Sequence, residues 1–132
     1  MLERNLEDKK KSLLSSLTEA SPGFRPRWEE FLEEYKDEKE GLPYYVGMGE
    51  YAVYLKEKLF RNDIEDFERV FEVVETALIE GDSRIIELVQ VGLLEAIQNV
   101  TEDRAEEFVK YLPSEAERYW KELNTFWGDE KE

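Results

Sequence analysis

The sequence contains no cysteine and no histidine among its 132 residues. Without cysteine the chain forms neither disulfides nor thiolates, and it suits a reducing compartment. Without histidine it lacks the commonest general base, the commonest metal ligand and every Ser-His or Cys-His nucleophile. The phosphate-binding patterns GxxxxGK[ST] and GxGxxG are absent as well. The sequence therefore predicts no enzyme activity and no cofactor.

Positive charge is scarce. The chain has 18 Lys and Arg against 33 Asp and Glu, which gives a net charge of −15. Nucleic acids and anionic membrane surfaces attract proteins through positive charge, so neither is an expected partner. A basic protein is the partner that this charge favours, and no small-molecule substrate is indicated.

Long apolar runs are also missing, because no uninterrupted stretch approaches the roughly 18 residues of a membrane span. The start, MLERNLEDKKK, is acidic where a signal peptide needs a basic and then an apolar region. We therefore expect a cytoplasmic protein. Its 13% of aromatic residues predicts a folded chain, and 132 residues suit a single domain.

The dominant positive signal is helical periodicity, and no stretch alternates like a strand. The pattern predicts an all-α domain over residues 1–132, with six or seven helices in antiparallel hairpins. An irregular bundle and a short HEAT-like array both remain open. Residues 1–20 have a thin stripe of leucines, which predicts a loosely docked helix, and residues 128–132 read as a flexible tail.

The stretch from Asp63 to Val100 reads as a hairpin of two helices, and the rest of the fold is expected to pack around it. The first has a core face and an acidic face, and the second is apolar almost all round, so it should be central. Gly81 is expected to end the first helix at positive φ, and Asp82 to cap the second. Gly92 is expected to let a neighbouring helix approach closely.

Several details upstream of this hairpin are also predicted. A helix begins near Arg27 and ends at Gly41, and the glycine-punctuated segment 44–49 reads as an irregular connector. In the helix that follows, Lys58 faces away from the core, and Asp63 caps the hairpin. Four tyrosines fit either the core or a binding rim: Tyr44, Tyr45, Tyr51 and Tyr54.

The acidic face of the hairpin is the candidate site. Residues 63–82 carry eight acidic residues and one basic residue, a net charge of −7. The face can be a solvated surface, a protein-binding surface or a metal site. The metal site is the least favoured, because the sequence lacks the tight loop from which hard cations usually draw oxygen ligands. Glu95 reads either as exposed or as buried beside a partner such as Arg84 or an aromatic hydroxyl. The predicted partner-binding residues are Glu65, Glu68, Glu72, Glu75, Asp82, Glu87 and Glu95.

Four segments occur in a distinctive order: GFRPRWEEFLEE, LPYYVGMGEYAVYL, DFERVFEVVETALIEGDSRIIELVQVGLLEAIQN and YLPSEAERYWKELNTFW. Together they resemble a family of small acidic helical bacterial proteins similar to the immunity proteins of polymorphic or contact-dependent toxin systems. The resemblance implies an antitoxin that binds and blocks a cognate toxin, expected to be a nuclease. It carries over no binding residues. The alternative is a HEAT-like scaffold or adaptor for another protein.

Overall fold

The computed structural model describes the backbone of residues 2–131 and the side chains of residues 5–124. The described residues form α-helices, two 3₁₀-helices and one π-helical segment and contain no strand, so the all-α prediction is confirmed. A three-residue 3₁₀-helix covers Pro22–Phe24, and a ten-residue one covers Glu102–Tyr111. The α-helices are α1 (Leu2–Ala20), α2 (Arg25–Glu34), α3 (Tyr44–Phe60), α4 (Phe67–Glu80), α5 (Ser83–Glu87), α6 (Glu95–Thr101) and α7 (Ser114–Lys131).

A π-helical segment, Leu88–Leu94, joins α5 to α6, and residues 83–101 together form what we call the central helix. Its side chains at Leu88, Leu93 and Ile97 have no exposed surface, which confirms the predicted central position. The central helix packs against α3. A Cβ placed on Gly92 would lie 3.3 Å from Cδ1 of Tyr45 and 3.4 Å from Cβ of Met48. The predicted close approach at Gly92 is therefore present.

Helix α1 packs more tightly than its leucine stripe predicts. Leu14 and Leu17 are fully buried, and Thr18 and Ser21 extend the buried face. Because Thr18 and Ser21 are polar, a stripe defined by leucines alone underestimates the buried face of this helix. The first half of the helix is held as well, because Glu7 accepts hydrogen bonds from Leu42 N (3.2 Å) and the Tyr44 hydroxyl (3.0 Å). The expected loose docking therefore does not describe this helix over residues 7–21.

The packing order is that of an irregular bundle. Helix α1 packs on both α3 and α4, and α7 packs on α4 as well as on the central helix. In a HEAT-like array each hairpin would contact only its sequence neighbours. Contacts between elements distant in sequence therefore favour the bundle over the array. The tail predicted at residues 128–132 lies outside the described side chains.

The connector between α2 and α3 differs from the prediction. Helix α2 ends at Glu34 rather than near Gly41, and α3 already begins at Tyr44. The glycines at 47 and 49 therefore lie inside a helix. A Cβ on Gly47 would lie 3.1 Å from Cδ1 of Leu14 and 3.2 Å from Cζ of Phe31, so glycine at this position lets three helices meet.

Both ends of α4 also differ from the prediction. The helix begins at Phe67, and the residue that precedes it is Asp66 rather than Asp63. Gly81 adopts an extended conformation (φ −73°, ψ 156°), not a positive φ. Glycine is needed there for space, since a Cβ would lie 2.5 Å from the Ala77 carbonyl oxygen. The Asp82 cap is confirmed, with Oδ1 accepting from Arg84 N (3.1 Å) and Ile85 N (3.0 Å).

Lys58 is buried, with 4% of its surface exposed, although its helical position predicts an outward side chain. Its Nζ lies 3.0 Å from Asp63 and 3.4 Å from Asp66. Asp66 also accepts a hydrogen bond from the Ser21 hydroxyl (2.8 Å), which lies 2.6 Å from the Tyr54 hydroxyl. This buried polar network, comprising Ser21, Tyr54, Lys58, Asp63 and Asp66, joins the end of α1 to α3 and to the turn before α4.

The charges in this network are mutually stabilised. Burial alone would lower the pKa of Lys58, but the hydrogen bond to Asp63 and the nearby acidic groups raise it above its ordinary value. Burial alone would raise the pKa of Asp66, but hydrogen bonds from Ser21 and Arg69 and the charge of Lys58 lower it. Both groups therefore remain charged at neutral pH.

The two glycines of α3 provide a matched test of close packing. Gly49→Ala should raise the free energy of unfolding by about 0.5–1 kcal/mol, because a Cβ there meets nothing within 4 Å and alanine favours the helix. Gly47→Ala should raise the free energy of unfolding by less, or lower it, because Leu14 and Phe31 must move to make room for the Cβ. Urea denaturation of both variants measures the difference, and equal gains would show that Gly47 is not needed for packing.

The buried polar network predicts a specific acid sensitivity. Because the folded-state pKa of Asp66 lies below its unfolded-state value of about 3.9, protonation favours the unfolded chain. The stabilisation is present above about pH 4 and is lost as the pH falls further. Lys58→Met should lower the free energy of unfolding at pH 7 by about 3 kcal/mol, because it leaves Asp66 without its buried cation.

Urea denaturation between about pH 2 and pH 7 measures both effects. Adding Asp66→Asn to the Lys58→Met variant should recover part of the loss, since the carboxylate that lost its buried cation and kept only Arg69 as a cationic partner is then removed. An Asp66→Asn single variant should show a smaller loss of stability on acidification than the unmodified protein. The same acid dependence in both proteins would contradict the assignment to Asp66.

Candidate protein-binding surface

Three of the predicted carboxylates share one outward surface. Glu68 and Glu72 lie one turn apart on α4, and Glu65 lies in the turn that precedes it. All three side chains are exposed. Among the described residues, none forms an ion pair or hydrogen bond with them. We call these three residues, with Ile79, the acidic face.

Ile79 supplies apolar surface to the acidic face. It lies seven residues beyond Glu72, on the same side of α4, because positions three, four and seven residues apart lie on one face of a helix. Its side chain is 64% exposed, the largest fraction among the exposed large apolar residues of the described chain. The acidic face therefore combines uncompensated negative charge with apolar surface, the two components that a protein-binding surface needs.

Glu75, predicted to bind a partner, instead binds the backbone of α7. Its Oε2 accepts from Glu115 N at 2.9 Å, and its Oε1 accepts from Ala116 N at 3.0 Å. These amides lie in the first turn of α7, where no intrahelical carbonyl is available. The cap of α7 thus comes from α4, across 40 residues of sequence. The sequence SEAE at residues 114–117 has the form of a local capping box, but the acceptor for these two amides is Glu75.

Asp82 and Glu87 also have intramolecular partners. Besides capping the central helix, Asp82 lies 3.4 Å from Lys9 Nζ on α1. The backbone N–H of Ile85 and the Lys9 ammonium lower the pKa of Asp82. Glu87 accepts a hydrogen bond from the Tyr45 hydroxyl at 3.2 Å. Both side chains remain exposed, but neither belongs to the acidic face.

Glu95 lies on a different side of the molecule, beside α7. It is half-buried, and no described residue pairs with it; Arg84 is exposed and does not provide the suggested partner. Burial, and then the charge of Glu95, raise the pKa of Tyr119 on α7. One turn farther along the central helix, Gln98 Nε2 donates to the Trp120 carbonyl at 3.2 Å. Glu95 and Gln98 of the central helix therefore face α7.

The four tyrosines divide between core and surface. Tyr44, Tyr51 and Tyr54 are at most 4% exposed, whereas Tyr45 is 45% exposed. The Tyr51 hydroxyl donates to the Leu17 carbonyl at 2.8 Å and so helps to hold α1. Three of the four thus belong to the core, and the aromatic rim considered for a scaffold is not formed.

A second group of carboxylates, missed by the sequence analysis, surrounds a cleft between α2 and α3. Glu30 and Glu34 extend from α2 and Glu50 from α3, around a volume of about 490 Å³. Partial burial, and then the charge of Glu34, raise the pKa of Glu50. The cleft was missed because residues 44–49 do not read as a helix. The sequence signal that could have indicated a helix here is the i, i+3, i+4, i+7 spacing of Val46, Gly49, Glu50 and Val53.

The described side chains contain no group of three or more acidic residues that could hold a metal ion. Within the same part of the chain, no helix is both long enough and apolar enough to cross a membrane.

Residues 14–128 match the model of a domain of unknown function, DUF7674. The chain belongs to this family. No curated protein and no solved structure matches it. The DUF7674 match begins at Leu14 inside α1 and extends into α7, so it includes both the acidic face and the cleft between α2 and α3.

The contribution of the Glu75 cap to stability can be measured by comparing substitutions at Glu75 and at Glu72. Glu75→Ala should lower the free energy of unfolding by about 1–2 kcal/mol, because two amides of α7 lose their acceptor. Glu72→Ala, one turn away, removes an exposed carboxylate without a described partner and should change stability by less than about 0.5 kcal/mol. Urea denaturation compares them, and equal losses would contradict the cap.

Proposed function

We propose that this DUF7674 protein is a non-catalytic binding protein whose acidic face captures a basic protein. We further propose that the partner is a cognate bacterial toxin, which the protein inhibits in the cytoplasm as an immunity protein. The observation that supports this proposal is the acidic face itself. Glu65, Glu68 and Glu72 are exposed without an internal cation, whereas Asp63, Asp66 and Asp82 are each paired with a lysine of the same chain.

The physical basis is electrostatic steering. A net charge of −15 and a local group of uncompensated carboxylates accelerate the approach of a cationic surface, and they also orient it. Charge at the rim of an interface contributes more to association rate than to affinity. Ile79 offers a contact that loses water when the partner binds, which gives the interface an apolar centre.

The toxin part of the proposal rests on the sequence resemblance and on the chemistry of nucleases. An enzyme that binds phosphates presents positive charge around its active site. An acidic helix fits such a surface and, once bound, blocks the path of the nucleic acid. The inhibitor then needs no catalytic groups of its own.

The first step of the test is to purify the protein from its native host and to identify the bound partner. A basic toxin, such as one encoded by the adjacent reading frame, is the expected result. Co-expression of the two genes should protect cells that the toxin alone kills. Capture of an acidic protein as the sole specific partner would contradict the proposal.

The second step locates the interface. In the Glu68→Lys/Glu72→Lys variant, the association rate constant with the identified partner should fall about tenfold or more at low salt, with unchanged folding. A matched variant, Glu38→Lys/Glu40→Lys, makes the same change in net charge on the loop before α3 and should have a much smaller effect. Stopped-flow fluorescence at low and high salt measures both. An unchanged rate at low salt would refute the acidic face as the site.

A further inference from the structure

Helices α2 and α3 are adjacent, and neither is covered on the side that faces the cleft. Arg27 near the start of α2 forms an ion pair with Glu57 near the end of α3, whereas Phe31, one turn farther along α2, lies against Gly47 near the start of α3. The two helices therefore run in opposite directions. The lining positions on each helix recur at i, i+3, i+4 and i+7, so each helix presents one continuous face. Two such faces side by side form the kind of groove into which a third helix fits.

The floor of this groove is apolar and open. Its exposed surface comes from Val46 and the half-buried Val53 of α3, and Phe31 of α2, only 2% exposed, lies beneath them. Val46 is 48% exposed, an unusual fraction for a branched apolar side chain in a folded domain. Gly49 lies between the two valines, and a Cβ placed there would meet no atom within 4 Å. The groove thus has room, at its centre, for a side chain from another molecule.

The rim of the groove is acidic. Glu30, Glu34 and Glu50 are all exposed, and no cation of the described chain pairs with them. Arg27 also lines the groove and attracts Glu50 electrostatically, but its guanidinium forms an ion pair with Glu57. An apolar floor with an acidic rim is complementary to an apolar stripe flanked by Lys or Arg.

We propose that the groove between α2 and α3 is a docking site for a basic amphipathic helix of another protein. The apolar side chains of that helix would cover Val46 and Val53 and enter the space above Gly49, and its Lys or Arg side chains would pair with Glu30, Glu34 and Glu50. A second copy of this chain does not fit, because each copy carries a net charge of −15. The inference does not depend on the function proposed for the acidic face, since the groove belongs to different helices.

A synthetic peptide tests the groove directly. The probe is a helix of about 15 residues built from leucine and lysine, with leucine at i, i+3, i+4 and i+7 spacing. A scrambled peptide of identical composition and a peptide with glutamate in place of lysine are the controls. Binding is followed by amide chemical shifts of the ¹⁵N-labelled full chain at an ionic strength of about 0.15 M. The expected result is that the shifts concentrate in residues 27–34 and 46–53.

Variants at Gly49 distinguish docking from general charge attraction. Gly49→Leu fills the groove and should weaken binding of the amphipathic peptide about tenfold or more. The matched Gly49→Ala variant adds one methyl group and should retain most of the affinity. Thermal melting checks that both variants fold. If Gly49→Leu does not fold, Glu34→Gln/Glu50→Gln replaces it, and this variant should also weaken binding.

Four outcomes would overturn the inference. They are no binding of the amphipathic peptide, equal binding of the scrambled peptide, unchanged affinity in the folded groove variant, and shifts confined to α4. The last would place the basic helix on the acidic face instead. Conversely, failure of a toxin to bind at the acidic face would leave the peptide result unaffected, so the two proposals are tested separately.

Discussion

The burial of Lys58 is the constraint on which the arrangement of α1, α3 and α4 depends. An ammonium group leaves water only if its charge is compensated, so two carboxylates must be held beside it. Asp63 and Asp66 are positioned by the turn between α3 and α4, and Asp66 is bound in addition to Ser21 at the end of α1. The direction in which the chain enters α4 is therefore set by charge pairing and not by apolar packing alone. The orientation of the acidic face follows from the same turn.

The excess of acidic residues divides into two groups with different roles. One group is used inside the molecule: Asp63 and Asp66 compensate a buried lysine, Asp82 caps the central helix and Glu75 caps α7. The other group, which includes Glu65, Glu68 and Glu72 on one side and Glu30, Glu34 and Glu50 on another, has no partner among the described side chains. Only this second group is available to attract a basic protein. The net charge of the chain does not distinguish the two groups.

Much of the helical architecture was predictable because it follows from periodicity. The all-α class, the buried central helix, the close contact at Gly92 and the Asp82 cap all follow from apolar spacing or from local capping chemistry. The errors arose where a residue is used by a distant part of the chain. Gly47 was expected to break a helix but lets Leu14 and Phe31 approach α3, and Lys58 was expected to face solvent but meets two aspartates. Likewise, no sequence pattern near Glu75 predicts that its carboxylate binds the first turn of α7. The candidate surfaces show the same limit, because the groove between α2 and α3 exists only once those helices are assembled.

The capping of α7 by Glu75 ties the acidic face to the C-terminal helix. Glu75 lies between Glu72 and Ile79 along α4, and its carboxylate holds the two amides at the start of α7. A shift of α4 caused by a bound partner would therefore carry the first turn of α7 with it, unless both hydrogen bonds break.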